Sequence, residues 1–259
     1  MIRAVADGRV RRNLLTGKFL SHFLAASLLL AGAAPALAEG GTRAEIDRLY
    51  FHRDQAGSLE QSIAKLDELL KGGEAADLYW RRCRSIIRRG ELRDGKSAKL
   101  DDYDLARQDC EKSVKLDDKD PDAHFWHGVS MGRWGEAKGL MKAMFLIKPI
   151  RAEMQATLKL DPKYGGAHRV LGEMLWQIPG FAGGDKKAAL GEYETAVMLS
   201  PRYSSNYIAL ADAYVHFKRK DDAIKTLNDL LAISDPADPA EFKDDSADAK
   251  KRLADLTKK

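Results

Sequence analysis

Along most of the chain, apolar and small residues return at helical spacing rather than with the alternation of a strand. The pattern is clearest over residues 163–236, where one helical hairpin is written nearly twice. The later copy runs Tyr207-x3-Ala211-x2-Tyr214, then Ala223-x3-Leu227-x2-Leu230, and ends at Asp235-Pro236. The earlier copy runs His168-x3-Gly172-x2-Leu175, then Ala189-x3-Tyr193-x2-Ala196, and ends at Ser200-Pro201. A small residue sits where two helices must approach closely, with bulky ones beside it. Each closing proline follows a second helix because it cannot continue one and can start the next.

The same pattern, more loosely written, predicts three earlier hairpins. In the first, Ile46, Leu49 and Tyr50 make one stripe and Leu59, Ile63, Leu66 and Leu70 another, with Ser58 as N-cap and Gly72-Gly73 as the stop. The second carries Tyr79, Cys83 and Ile86 on its first helix and Ala106, Cys110 and Ser113 on its second; the polar, glycine-interrupted stretch 90–99 reads as an insertion between them. The third opens at Asp120-Pro121 with His124, Gly128 and Met131, and closes with Met154, Thr157 and Leu160. Between them, residues 132–149 hold Leu140, Met141, Met144, Phe145 and Ile147, which predicts extra helical turns and not a loose loop. In the fourth hairpin the excess length lies in 177–185, where Pro179 and the glycines end one helix and Asp185 can cap the next. Beyond the fifth, residues 235–245 read as a polar linker. Residues 247–256 read as a terminal helix whose Leu253 and Leu256 cover the last open face.

From Pro201 to Pro236 is 35 residues, against about 34 for the tetratricopeptide repeat (TPR). The chain resembles that family, which implies an all-α, right-handed solenoid of about five helical hairpins with a C-terminal capping helix. The repeat domain would span residues 39–235, and the linker and cap 236–259. Three segments carry a narrower resemblance: Leu78-Tyr79-Trp80-Arg81-Arg82-Cys83-Arg84, Ala123-His124-Phe125-Trp126-His127-Gly128, and the run from Leu171-Gly172-Glu173 through Trp176 to Pro179-Gly180-Phe181. They are similar to segments of the regulator of microtubule dynamics group. The Pro-x-Phe-x-Gly-Gly run is also similar to the TatT family, periplasmic TPR proteins associated with tripartite ATP-independent transporters. Both resemblances imply a helical scaffold that holds partner proteins, beside a ligand pore in the second case.

Composition changes the picture at the N-terminus. The raw pI of about 8.9 and net charge of +4 come from residues 1–38, where Arg3, Arg9, Arg11, Arg12 and Lys18 face only Asp7. The remainder is near neutral, so no broad basic field for nucleic acid or anionic lipid is expected. Basic residues, an apolar run over 19–34 and Ala36-Leu37-Ala38 together form a secretory signal, predicting cleavage near Ala38 and a periplasmic or secreted protein. The apolar run is short for a membrane span, which needs about 20 residues. Arg11-Arg12-Asn13-Leu14-Leu15 partly matches a twin-arginine signal, so either export route fits. No cysteine follows the cleavage site to carry a lipid. Cys83 and Cys110 face the inside of the same hairpin; an oxidising compartment would permit a disulfide, and two buried thiols are the alternative.

Candidate chemistry is sparse. Gly180-x2-Gly183-Gly184-Asp185-Lys186 resembles a phosphate loop only superficially, because a helix precedes it and Asp185 would repel phosphate. His124 and His127 lie three apart on one helix without a third ligand at metal spacing. No nucleophile elbow or zinc-protease motif is present. These patterns predict neither cofactor nor metal, and a binding protein in place of an enzyme. The expected surface is the concave face lined by each first helix. Reading inward from the core slots gives Trp80, Arg84, Arg88, Phe125, Arg133, Arg169, Glu173, Trp176, Asp212 and His216. Aromatic anchors near Trp80, Phe125 and Trp176, with arginines forking onto partner carboxylates, would dock a protein segment. The alternatives are a hydrophobic organic acid in a solenoid channel, or tryptophans that merely fill gaps between hairpins.

Overall fold

The computed structural model describes residues 33–258, with side chains from residue 41 onward. The export segment expected at residues 1–38 therefore lies almost wholly outside the described residues. Among those residues every regular element is helical, in five consecutive hairpins: α1 (Ala33–Phe51) with α2 (Ser58–Gly72), α3 (Ala76–Glu91) with α4 (Lys96–Leu116), α5 (Pro121–Lys138) with α6 (Leu140–Leu160), α7 (Gly165–Gln177) with α8 (Lys186–Leu199), and α9 (Ser204–His216) with α10 (Lys220–Leu231). A final helix, α11 (Pro239–Thr257), packs on the last hairpin.

The small-residue slots explain the close pairing. A Cβ on Gly172 would stand 2.7 Å from the Tyr193 ring, and one on Gly128 would stand 2.3 Å from the end of Met154, so the α7/α8 and α5/α6 contacts admit no side chain there. Ala106, Ala189, Ala196, Ala223, Leu66 and Leu227 are fully buried at the matching positions. Burying a leucine so completely stabilises the fold by about 2–3 kcal/mol. Helix starts follow local chemistry. Asp120 accepts from the Asp122 N–H, Asp185 from the Lys187 and Ala188 N–H groups, and Asp238 from the Glu241 N–H, with a proline opening both α5 and α11.

Several expectations need adjustment. Gly57, with φ +79°, caps α2, while Ser58 is buried inside its first turn. The expected 90–99 insertion is mostly helix, since α3 runs to Glu91 and α4 starts at Lys96. Residues 132–149 are helical apart from Gly139, whose φ of +109° makes the sharp α5–α6 turn. The linker is shorter than expected because α11 begins at Pro239. Its Ala249, Leu253 and Leu256 cover Tyr207, Ala211, Leu227 and Leu230.

Cys83 and Cys110 are joined by a disulfide, with Cα atoms 5.6 Å apart, tying α3 to α4 inside the second hairpin. The Gly-rich run after α7 is a 3-10 turn over Gly180–Ala182 whose backbone is tied back on itself. The Gly184 N–H donates to the Pro179 carbonyl at 3.2 Å and the Asp185 N–H to the Leu175 carbonyl at 2.9 Å. A Cβ on Gly184 would sit 1.7 Å from the Ile178 oxygen.

Candidate functional site

The array curls until its two ends touch. The turn after α1 presents Arg53, whose Nη1 donates to both oxygens of Asp238 at 2.8 and 2.9 Å and whose Nη2 donates to Glu241 at 3.1 Å. From α3, Arg88 donates to the same Glu241 at 2.6 Å, to Glu91 at 2.8 Å and to the Tyr50 hydroxyl at 3.3 Å. Lys243 completes the contact with Asp54 at 3.2 Å. Burial alone would raise the Glu241 carboxyl, but the charges of Arg88 and Arg53 outweigh it and hold it below the usual carboxylate range.

This junction walls one side of an inner cavity of about 330 Å³. Its lining comes from the first helix of every hairpin, or the turn that begins it, and from the start of α11. Tyr50, Phe51, Phe125, Trp126, Tyr164 and Tyr203 supply aromatic wall, and Arg84, Arg88, Lys163 and Arg169 supply cations. Gly165 and Gly166 let the floor pack closely: a Cβ on Gly166 would press on the Phe125 ring at 3.1 Å, and one on Gly165 would meet Ser200 Oγ at 2.4 Å. The Tyr164 hydroxyl donates to Asp122 at 2.6 Å. Burial raises the Asp122 carboxyl despite that bond.

Arg84 is the most confined of these cations. It is 5% exposed, lies 3.8 Å over the Tyr50 ring and donates through Nη2 to Asp47 at 2.6 Å. Its buried Nε–H has no acceptor among the described residues. A second recess of about 370 Å³ lies between α5, α6, α7 and the 3-10 turn. It is mainly apolar, lined by Met131, Leu140, Met144, Ile147, Val170, Met174 and Phe181 among others.

The ten residues expected on one concave surface divide among several places. Arg84, Arg88, Phe125 and Arg169 line the inner cavity, and Arg133, Arg169 and Glu173 line the second recess. Trp80 lines neither. It is 6% exposed, its indole N–H donates to Asp120 at 3.0 Å, and Arg81 covers its ring at 4.1 Å. The anchor role expected of it is therefore corrected to a packing role. Trp176 likewise fills a seam, with its ring 5.0 Å from His216 and 6.3 Å from Tyr193 and from Phe217, under the Lys186 ammonium at 4.9 Å. Asp212 pairs with Arg252 of α11, and His216 turns its ring edge-on to Trp176. The arginines expected to reach partner carboxylates already hold the chain's own: Arg133 takes Glu91 at 3.0 Å, and Arg169 takes Glu173.

Sequence reading missed Tyr50, Tyr164, Tyr203, Asp238 and Glu241. Tyr164 and Tyr203 each stand two residues after a closing proline, a repeated Pro-x-Tyr that was available as a signal. Nothing local marks Asp238 and Glu241 as partners of Arg53. His124 and His127 both turn their Nδ1 atoms to Glu153, at 2.6 and 3.1 Å. Burial works to raise that carboxyl, and the two histidines overcome it. No grouping of three metal-ligating residues occurs among the described residues, and none of their helices is long and apolar enough to cross a membrane.

Solved structures share this architecture. TTC0263, a thermophilic TPR protein of Thermus thermophilus, superposes with a TM-score of 0.59 at 14% identity, over 83% of this chain and 98% of that one. The pilF protein of Pseudomonas aeruginosa gives 0.53 at 15% identity, over 85% and 94%. These likenesses establish the TPR fold. No curated protein matches the sequence significantly. The sequence profile of the family described as regulator of microtubule dynamics protein 1-3 matches residues 43–179, more than half of the chain, and the protein belongs to that family.

Proposed function

We propose that the chain is a TPR scaffold that holds the carboxylate-bearing end of a protein partner in its inner cavity. The observation that carries this reading is the cavity wall, where Arg84, Arg88, Lys163 and Arg169 stand among the rings of Tyr50, Phe125, Tyr164 and Tyr203. A guanidinium favours a carboxylate. Aromatic side chains beside it would take the partner's terminal apolar residue. The protein works by binding and not by catalysis. The N-terminal export pattern, the near-neutral remainder of the chain and the Cys83–Cys110 bridge support an exported, oxidising location.

The second reading, a small hydrophobic organic acid as cargo, is favoured by one feature. A volume of about 330 Å³ lies at the small-molecule end of the range for ligand sites. Calorimetric titration separates the two, using synthetic peptides with free or amidated C-termini and a phenyl-substituted alkanoic acid. The scaffold reading expects free-acid peptides to bind at least about tenfold more tightly than their amides. It also expects Ser205→Trp, which fills the cavity from α9, to abolish binding. Equal or tighter binding of the small acid would move the assignment to cargo. Indifference to amidation would remove Arg84 from the site.

A further inference from the structure

The first half of α6 is apolar on more faces than its packing uses. Its inner side is occupied by α5, where Leu146 and Ile150 lie against the Gly135 and Gly132 positions. Its outer side leaves Leu140 78%, Met141 69% and Phe145 73% exposed, with Met144 also exposed. Across the apolar cleft, the 3-10 turn holds out Phe181 at 91% exposure. That turn is pinned by its own backbone hydrogen bonds, so the ring is presented on a fixed support. Large exposed apolar side chains grouped in this way mark an interaction surface.

Charge selects the occupant. Between Glu136 and Glu153 the sequence contains Lys138, Lys142, Lys148 and Arg151 and no acid. Lys142 and Lys148 stand three residues to either side of Phe145, flanking it along the helix. Neither they nor Arg151 forms an ion pair among the described residues, whereas Arg81, Arg82, Arg84, Arg88 and Arg89 all do. The acids at the rim, Glu136 and Glu173, are held by Arg133 and Arg169. Exposed large apolar side chains beside free lysines are the features of a surface that rests at a membrane interface. There apolar groups enter the acyl boundary while lysine stems extend to the phosphates.

We infer that the α6 face and the Phe181 turn dock the protein on an anionic lipid bilayer. Attraction of the flanking lysines to anionic headgroups makes binding depend on lipid charge and fall with salt. The test is co-sedimentation of the full chain with phosphatidylcholine vesicles, with and without phosphatidylglycerol. Wild type should bind the anionic vesicles, and Phe145→Ser with Phe181→Ser should weaken partitioning at least about tenfold. Lys142→Gln with Lys148→Gln should lose the preference for anionic lipid. Circular dichroism and thermal melting verify that the variants stay folded, as expected at such exposed positions. Because the apolar N-terminal run stays in every variant, unchanged binding by the phenylalanine pair would assign the lipid contact elsewhere and overturn the inference. So would an ultracentrifugation result in which the pair abolishes self-association while wild type ignores vesicles, making this face a contact between copies.

Discussion

The second hairpin and the third hairpin are built from the same repeat, and their surfaces have opposite fates. On α3 every arginine forms an ion pair within the chain itself. Arg82 forks onto Asp109 at 2.6 and 2.7 Å, Arg89 and Arg93 share Asp102, and the Cys83–Cys110 bridge lies in the core of the same hairpin. On the first half of α6 the lysines are unpaired and the large apolar side chains face outward. The comparison teaches that abundance of arginine and tryptophan does not mark a recognition surface. In this protein most of these side chains are already paired within the array or across the α1–α11 junction, and only those lining the inner cavity are placed to meet a ligand.

The comparison can be broken most severely at the disulfide. Replacing both Cys83 and Cys110 with alanine opens a loop of 27 residues' separation, which should lower unfolding free energy by about 3–4 kcal/mol. Urea denaturation of oxidised protein and variant measures it; an unchanged midpoint would mean the second hairpin is held by its ion pairs alone. Next comes the junction. Glu241→Gln should cost about 1–2 kcal/mol at neutral pH, because it leaves Arg53 and Arg88 without their shared anion. The Glu241 carboxyl is held low in the folded state, so this stability is present above the ordinary range near pH 4 and lost as pH falls through the depressed value. Melting curves of variant and wild type should converge in acid.

A smaller effect of opposite sign is expected a turn further along α11. Burial pushes the Asp245 carboxyl up to about 6, despite the bond it accepts from Ser204 at 2.6 Å. Its contribution is fully present below the unfolded value and is lost as pH rises through about 6. Asp245→Asn should therefore raise the melting temperature slightly at pH 8, and by less as pH falls toward the ordinary carboxylate range near 4, read by calorimetry. A variant equally displaced across that range would show that packing and not charge is involved. The smallest effect belongs to the open region: Phe145→Ser should change stability by no more than about 0.5 kcal/mol. A larger loss in a denaturant titration would mean that the ring is packed and the surface closed.

The hairpins were legible because a TPR core is local. Gly128 against Met154 and Gly172 against Tyr193 are near neighbours along the chain, and each pairing leaves its mark in spacing. Helix starts were legible at Asp120 and Asp185 for the same reason. Which inward residues remain free was not legible. Periodicity fixes the face on which Trp80 lies but not that Asp120, forty residues on, will take its indole N–H. The array's closure was further out of reach, since Arg53 and Asp238 are 185 residues apart and belong to no shared pattern.

That closure decides whether ligands meet an open groove or a walled cavity, so the distance across the junction is the measurement that matters most. Spin labels placed through Asp54→Cys and Lys243→Cys, with the native bridge intact, would sit at an ion pair 3.2 Å long in the wild type. Electron–electron resonance should give one short, narrow distance distribution, unchanged when the peptide binds. A broad distribution extending to long distances would mean that α11 leaves the first hairpin and that the concave face is open after all.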